Sequence, residues 1–371
     1  ATEAPSSTSA SSQIEEQETE ESTTSIESES SVTETTQVTE ESQTVPSETD
    51  STSEEQAKTL VEANNREPQD IRPLLEEDDF FVLPIKIKLG DKEIVVSDDM
   101  KPIELKKDDV FQIGYSWAIP EYLDGKLVAG DWYEEALPSG LKKVNGQGEL
   151  IDENKRVFGT YLFADGKLRL EFNELVETET GIHGVVWYAQ ILTDEGDGGS
   201  GEISIPINGE TIKVPIFMQP NGGTSISKAV KTDTQTPGVI DWEVSINTNL
   251  QQLVKPKVTE TLPETLRFSQ VKIYRQTVNA KGVVTGQIEP ALVEGTDYTV
   301  DKNGNVEFIG EYQNTRESFK LIYQTPIIDE KIPAEGGRVS FKNTATLTTE
   351  TTSAVSDSAT TTRDYGKNKK K

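Results

Sequence analysis

An all-β fold is predicted: two tandem β-sandwiches preceded by a disordered, acidic Ser/Thr/Glu-rich tail. Three observations carry this. From Phe80 onward the chain breaks into short runs of alternating polarity, such as VFQIGYSWAI, KLRLEF, VIDWEVSI and SFKLIYQT. Gly/Asn/Asp/Pro clusters such as EGDGGSG, PNGG and KNGN separate them. Period-two runs bounded by turn residues are half-buried strands, and many of them at short spacing make sandwiches. Second, Trp117 and Trp242, Pro138 and Pro263, and Leu141 and Leu266 share one offset of 125 residues, so one module is present twice. Third, no aromatic residue precedes Phe80, and the opening segment is almost entirely Ser, Thr and Glu.

The elements follow in order. Residues 1–79 hold 22 Asp and Glu against 3 Lys and Arg, a balance of −19 within a total of −29. Such a segment cannot bury enough apolar surface to offset its ordering entropy, so disorder is expected throughout it. EQAKTLVEANNRE, 55–67, is the one stretch there with the makings of a transient helix. Residues 80–222 form the first module and 223–348 the second, each of Ig-like size. The join falls in QPNGGTS, 219–225, which reads as a Gly/Pro linker. Residues 349–371 are Ser/Thr-rich and then basic, read as a linker or a strand-adding extension.

Composition excludes several functions. A strongly acidic surface repels phosphates and anionic lipid, so neither nucleic acid nor a membrane is an expected partner. No apolar run is long enough to span a bilayer, and no charged-then-apolar leader opens the chain, which suits a mature or trimmed exported protein. With no cysteine, disulfides do not staple the fold. No cofactor is expected.

Alternation also points to chemistry. In VSFKNTATLT, 339–348, Asn343 shares a face with Val339, Phe341, Ala345 and Leu347. Lys228 likewise falls between Ile226 and Val230, and Glu260 follows Val254 and Val258. Three inward polar groups each carry a desolvation cost unless they meet. If they meet, burial raises the carboxyl pKa and lowers the lysine pKa, so the acid can take the amine's proton. Two outcomes are open: a hydrogen-bonded Lys–Glu–Asn cluster, which alternation alone favours, or attack of the neutral amine on the Asn343 amide to form a Lys–Asn isopeptide bond. At the repeat offset, Lys228 maps to Ile103, Glu260 to Glu135 and Asn343 to the neighbourhood of Met218. No crosslink is expected in the first module.

ISKAVKTD, VIDWEVSIN, VTETLPETL and FKNTATLT, in that order, resemble the collagen-binding-type domain of Gram-positive cell-wall-anchored adhesins, the MSCRAMM type. DDVFQIGYSWAI, GDWYEEALPSGL and KLRLEFNE look, more loosely, like the first Ig-like domain of such adhesins. The resemblance implies variant Ig folds and a ligand groove between two adjacent domains for a host matrix or plasma protein of the collagen or fibrinogen class. It also implies an isopeptide bond between Lys228 and Asn343, with Glu260 as assisting acid where the family more often has Asp. Residues 349–365 would then serve as a latch strand crossing back to the first module. The implied location is the bacterial surface, held to cell-wall peptidoglycan through a C-terminal region not included in this chain.

Other chemistry finds little support. The lone histidine, His183, sits at a turn-to-strand boundary, and no nucleophile-elbow motif is present, so no enzyme is expected. DEGDGGSGE, 194–202, lacks EF-hand spacing and reads as a flexible turn rather than a calcium loop. Trp132 and Tyr188 alternate outward in this reading and are the candidate ligand-contacting aromatics. Asp241, Glu243, Ser245 and Asn247 also point outward, a face with no aromatic platform for collagen. The competing class is a structural stalk or pilin-like protein in which the crosslink resists force and no ligand is bound.

Overall fold

Alternating side chains sort themselves onto two faces, and in the computed structural model they close two separate apolar cores. The structure describes residues 66–366, and no α-helix occurs among them. In the first half the strands are β1 (Lys86–Leu89), β2 (Lys92–Val95), β3 (Ile103–Leu105), β4 (Val110–Ala118), β5 (Trp132–Ala136), β6 (Gly146–Ile151), β7 (Val157–Ala164), β8 (Lys167–Phe172), β9 (His183–Ile191), β10 (Gly199–Ile207) and β11 (Glu210–Met218). They form sheets β2-β1-β4-β9, β5-β8-β7-β6 and β10-β11-β3. Between the sheets, Phe80 stacks on Tyr133 at 4.2 Å and lies beside the fully buried Trp117.

In the second half the strands are β12 (Ile226–Val230), β13 (Val239–Ile246), β14 (Leu253–Val254), β15 (Lys257–Thr261), β16 (Gln270–Val278), β17 (Val284–Ile288), β18 (Tyr298–Val300), β19 (Val306–Phe308), β20 (Asn314–Thr315), β21 (Ser318–Pro326), β22 (Gly337–Thr348) and β23 (Val355–Tyr365). Two five-stranded sheets, β12-β13-β21-β16-β17 and β18-β19-β15-β22-β23, face each other, with a small β14-β20 pair beside them. Strict alternation in β13 buries Ile240, Trp242, Val244 and Ile246 against Phe319, Leu321 and Tyr323 of β21.

Three expectations meet a different structure. Residues 1–65, including most of the 55–67 helix candidate, lie outside the described residues. Residues 66–79, read as part of the disordered tail, are packed onto the first sandwich. Ile71 is wholly buried in its core, and its N–H donates to the Trp132 carbonyl at 2.9 Å. Arg66 forks onto the buried Asp131 carboxylate at 2.7 and 2.5 Å, and that carboxylate also accepts from the Gln69 and Val128 amides. Composition averaged over 79 residues hid one isoleucine and one arginine whose partners lie 61 and 65 residues downstream.

Residues 355–365, read as a latch or a linker, instead form β23 and pair antiparallel with β22 over eleven register positions. No β23 side chain is buried, which is why its sequence gives no strand signal; hydroxyl pairs such as Thr344–Ser358 and Thr346–Ser356, both 2.7 Å, line its outer face. Asn247, read as outward, is 1% exposed: its backbone turns to φ 61°, and its side chain donates to the Gln251 and Glu317 carbonyls.

Candidate functional site

Strands β12, β15 and β22 of the second sandwich each contribute one inward polar side chain. β12 carries Lys228 beside Ile226, β15 carries Glu260 next to Val258, and β22 carries Asn343 between Phe341 and Ala345. Glu260 pairs in register with Ala345, so the glutamate and the asparagine sit one strand and two residues apart. Lys228 Nζ donates to both Glu260 oxygens, at 2.9 and 3.0 Å, and the two side chains are 0% and 1% exposed. The rings of Trp242 and Tyr323 each lie 5.5 Å from Nζ and wall it from water. Asp357 of β23 accepts the Lys228 backbone N–H at 2.7 Å, which fixes β12 against the last strand.

Burial sets the electrostatics. It pushes the Lys228 pKa down, against the upward pull of Glu260, and pushes the Glu260 pKa up, against the pull of Lys228. Both shifts favour the same state, a protonated acid beside a neutral amine, as expected where desolvation outweighs pair attraction. Asn343 is completely buried, and neither its amide nitrogen nor its oxygen has a hydrogen bond. Its amide exerts a weak lowering influence on Glu260 without reaching hydrogen-bond geometry. Two orphaned buried atoms cost roughly 1–3 kcal/mol each.

The first sandwich makes the contrast. Ile103 on β3 stands where the repeat offset puts Lys228, and it is core. Glu135 lies on β5, its pKa raised by partial burial, and Met218 ends β11. Here the corresponding strands are tied by backbone instead: β11 pairs parallel with β3 at Ile216–Ile103, Phe217–Glu104 and Met218–Leu105.

The aromatic candidates need correction. Tyr188 is 1% exposed, packs on Phe163 at 4.9 Å, and hydrogen-bonds Val144 N and Lys142 O. Its neighbour Trp187 faces out, lying over Gly114 with Lys88 Nζ 4.0 Å from its ring. GVVWYAQIL is apolar on both faces, so periodicity could not set its phase. Trp132 is half-buried, with the Arg169 guanidinium 4.6 Å from its ring. His183 opens β9, exposed, and pairs with Glu153 at 3.0 Å. Among the described residues no acidic cluster could hold a metal, and the 194–202 loop is instead engaged with the second sandwich.

Residues 223–358 match the family described as collagen binding domain. The match spans the second sandwich and the start of β23, the part of the chain whose motifs carry the resemblance. No curated protein matches the chain by sequence. Among solved structures it is similar to the collagen adhesin CNA of S. aureus, at 12% identity over 80% of this chain and 96% of that one, with a TM-score of 0.28. It is also similar to the serine-rich repeat protein Srr2 of Streptococcus agalactiae (14%, 82% and 98%, 0.31). A third is the Enterococcus faecalis MSCRAMM ACE, described as binding its ligands by the collagen Hug model (14%, 77% and 95%, 0.28). At these scores the three add nothing to what the family match and the chain's own geometry supply.

Proposed function

We propose that this chain is the ligand-binding region of a Gram-positive surface adhesin that binds a host matrix protein, collagen foremost, between its two sandwiches. The observation that carries the reading is the match of 223–358 to a collagen binding domain. Its role is adhesion rather than catalysis of a reaction on a substrate, and its place is the bacterial surface, attached to peptidoglycan through a further C-terminal region. Trp187 replaces Tyr188 as the candidate aromatic contact in the first sandwich, since it is the one of the pair that reaches solvent.

The same proposal assigns an intramolecular bond to the Lys228–Glu260–Asn343 centre. Glu260 takes a proton from the Lys228 ammonium, and the freed Nζ lone pair attacks Asn343 Cγ while the protonated Glu260 polarises the carbonyl oxygen. A C–N bond forms, the Cγ–Nδ2 bond breaks, and the departing nitrogen leaves as ammonia with the proton given up by Nζ. The product ties β12 to β22 and needs no external reagent.

Surface plasmon resonance of residues 66–366 over immobilised collagen, with fibrinogen and fibronectin alongside, tests the binding. Saturable, collagen-selective binding weakened by Trp187→Ala is expected. Fibrinogen-selective binding would reassign the ligand, and no binding to any of the three would leave the stalk reading standing.

A further inference from the structure

The glycine-rich stretches that read as flexible, EGDGGSG and PNGG, meet each other across the junction of the two sandwiches. Gly198 N–H donates to the Val278 carbonyl at 3.0 Å, Ala280 N–H to the Gly196 carbonyl at 2.9 Å, and Asn221 N–H to the Ala280 carbonyl at 2.7 Å. The turn between β16 and β17 is thereby stitched to the loop before β10 and to the connecting segment. Ala280, a residue of the second sandwich, is wholly buried in the core cluster of the first. Phe217, Leu250 and Val278 close a third, smaller core at the same place.

The glycines are there for closeness. A Cβ on Gly198 would sit 2.7 Å from the Asn279 carbonyl oxygen, one on Gly222 2.5 Å from that of Lys281, and one on Gly282 2.5 Å from Gly223 N. Gly198 does not have a positive φ, so backbone approach alone demands it. Beside this seam Arg316, in the segment leading into β21, stacks its guanidinium 3.5 Å from the Phe217 ring centroid. The same group donates to Glu104 at 2.7 and 2.9 Å, to Gln219 Oε1 at 2.7 Å and to the Leu250 carbonyl at 3.1 Å. Gln219 returns a bond to the Asn249 carbonyl at 2.7 Å. One rigid fork therefore reaches β3, β11, the connecting segment and the second sandwich at once, a task lysine's point charge cannot do.

We infer that the two sandwiches are locked into one rigid body, with Arg316 as the pin and residues 219–225 as a packed joint rather than a hinge. Independent motion is the ordinary expectation for tandem domains; here the backbone stitching and the fork remove it. For the proposed adhesin, on whose reading this one consequence rests, a ligand meets the two faces at a preset angle.

The test needs no ligand, so its failure is separate from any failure to bind collagen. Hydrogen exchange on residues 66–366 should show the Gly198, Asn221 and Ala280 amides protected, and small-angle scattering should fit the single conformation. Arg316→Ala should lose about tenfold or more of that protection and extend the scattering envelope, while amides within β4 and β13 keep theirs. Arg316→Lys should not restore it, and Gly198→Val should act like Arg316→Ala through the joint itself. Unprotected junction amides in the unsubstituted protein, or scattering that requires many relative orientations, would overturn the locked joint. Unchanged protection in Arg316→Ala would remove the arginine from the role of pin.

Discussion

At the scale of residues, the buried centre dominates. The intact mass of the purified protein is expected to fall short of the sequence mass by one ammonia. Lys228→Ala and Asn343→Ala should each restore the full mass, and Glu260→Ala should slow the loss greatly, because the proton acceptor is gone while nucleophile and amide remain. A mass equal to the sequence mass in the unsubstituted protein would refute the bond. By analogy with a disulfide closing a loop of this size, the bond would stabilise the second sandwich by about 4–5 kcal/mol. His183 offers a second residue-scale prediction. The hydrogen bond that the His183 ring donates to the Glu153 carboxylate, then the one to the Gly181 carbonyl, raises its pKa above 6.5. A raised folded pKa means that protonation favours folding: the contribution is complete below pH 6.5 and is lost as pH rises through the folded value. The chain has one histidine, so an NMR titration reads it without assignment. The midpoint should lie above 6.5 and fall in Glu153→Gln; an unmoved midpoint would discard the pair.

Strands and segments behave less uniformly than their sequences suggest. β23 buries no side chain, yet it supplies the carboxylate that caps Lys228 N–H and lies along β22 beside the buried centre. Ending the chain at 354 should leave the second sandwich folded but let water nearer to Lys228 and Glu260. Their burial-driven pKa shifts should shrink, and ammonia loss should slow in a mass time course; an unchanged rate would show that β23 is irrelevant to the centre. The amino-terminal segment is the opposite case. A chain starting at residue 66 keeps Ile71 in the core and Arg66 on Asp131, whereas one starting at 80 loses both. Thermal melts should show a clear drop for the second truncation and little difference between the 66–366 chain and the full one. The single change Ile71→Ala should cost about 2–5 kcal/mol.

The whole molecule combines two differently closed sandwiches in one acidic body. The first ties β3 to β11 by a parallel ladder, and the second is proposed to tie β12 to β22 by a covalent bond. If the ligand spans both, neither sandwich alone should match the affinity of the pair, since each half would lose buried interface. Plasmon resonance on the pair and on each half decides this. Full-strength binding by residues 223–366 alone would confine the site to the second sandwich.

What the sequence determined by itself was local and periodic. Alternation set the strand faces of β12, β13, β15 and β22, and so placed Lys228, Glu260 and Asn343 on one interior before any distance was known. The 125-residue offset set the repeat, and Ile103 in place of a lysine set the two modules apart. Where periodicity was silent, the tertiary structure decided. β9 is apolar on both faces, so only its pairing with β4 could bury Tyr188 and turn Trp187, half-buried, to the outer face. β23 buries no side chain fully; it adds to the edge of β22, with Ala359 and Tyr365 leaning on the second core. The glycines at 198, 222 and 282 look the same in a mobile linker as in a packed joint. Only the backbone opposite them, less than 3 Å from where a side chain would begin, tells the two apart.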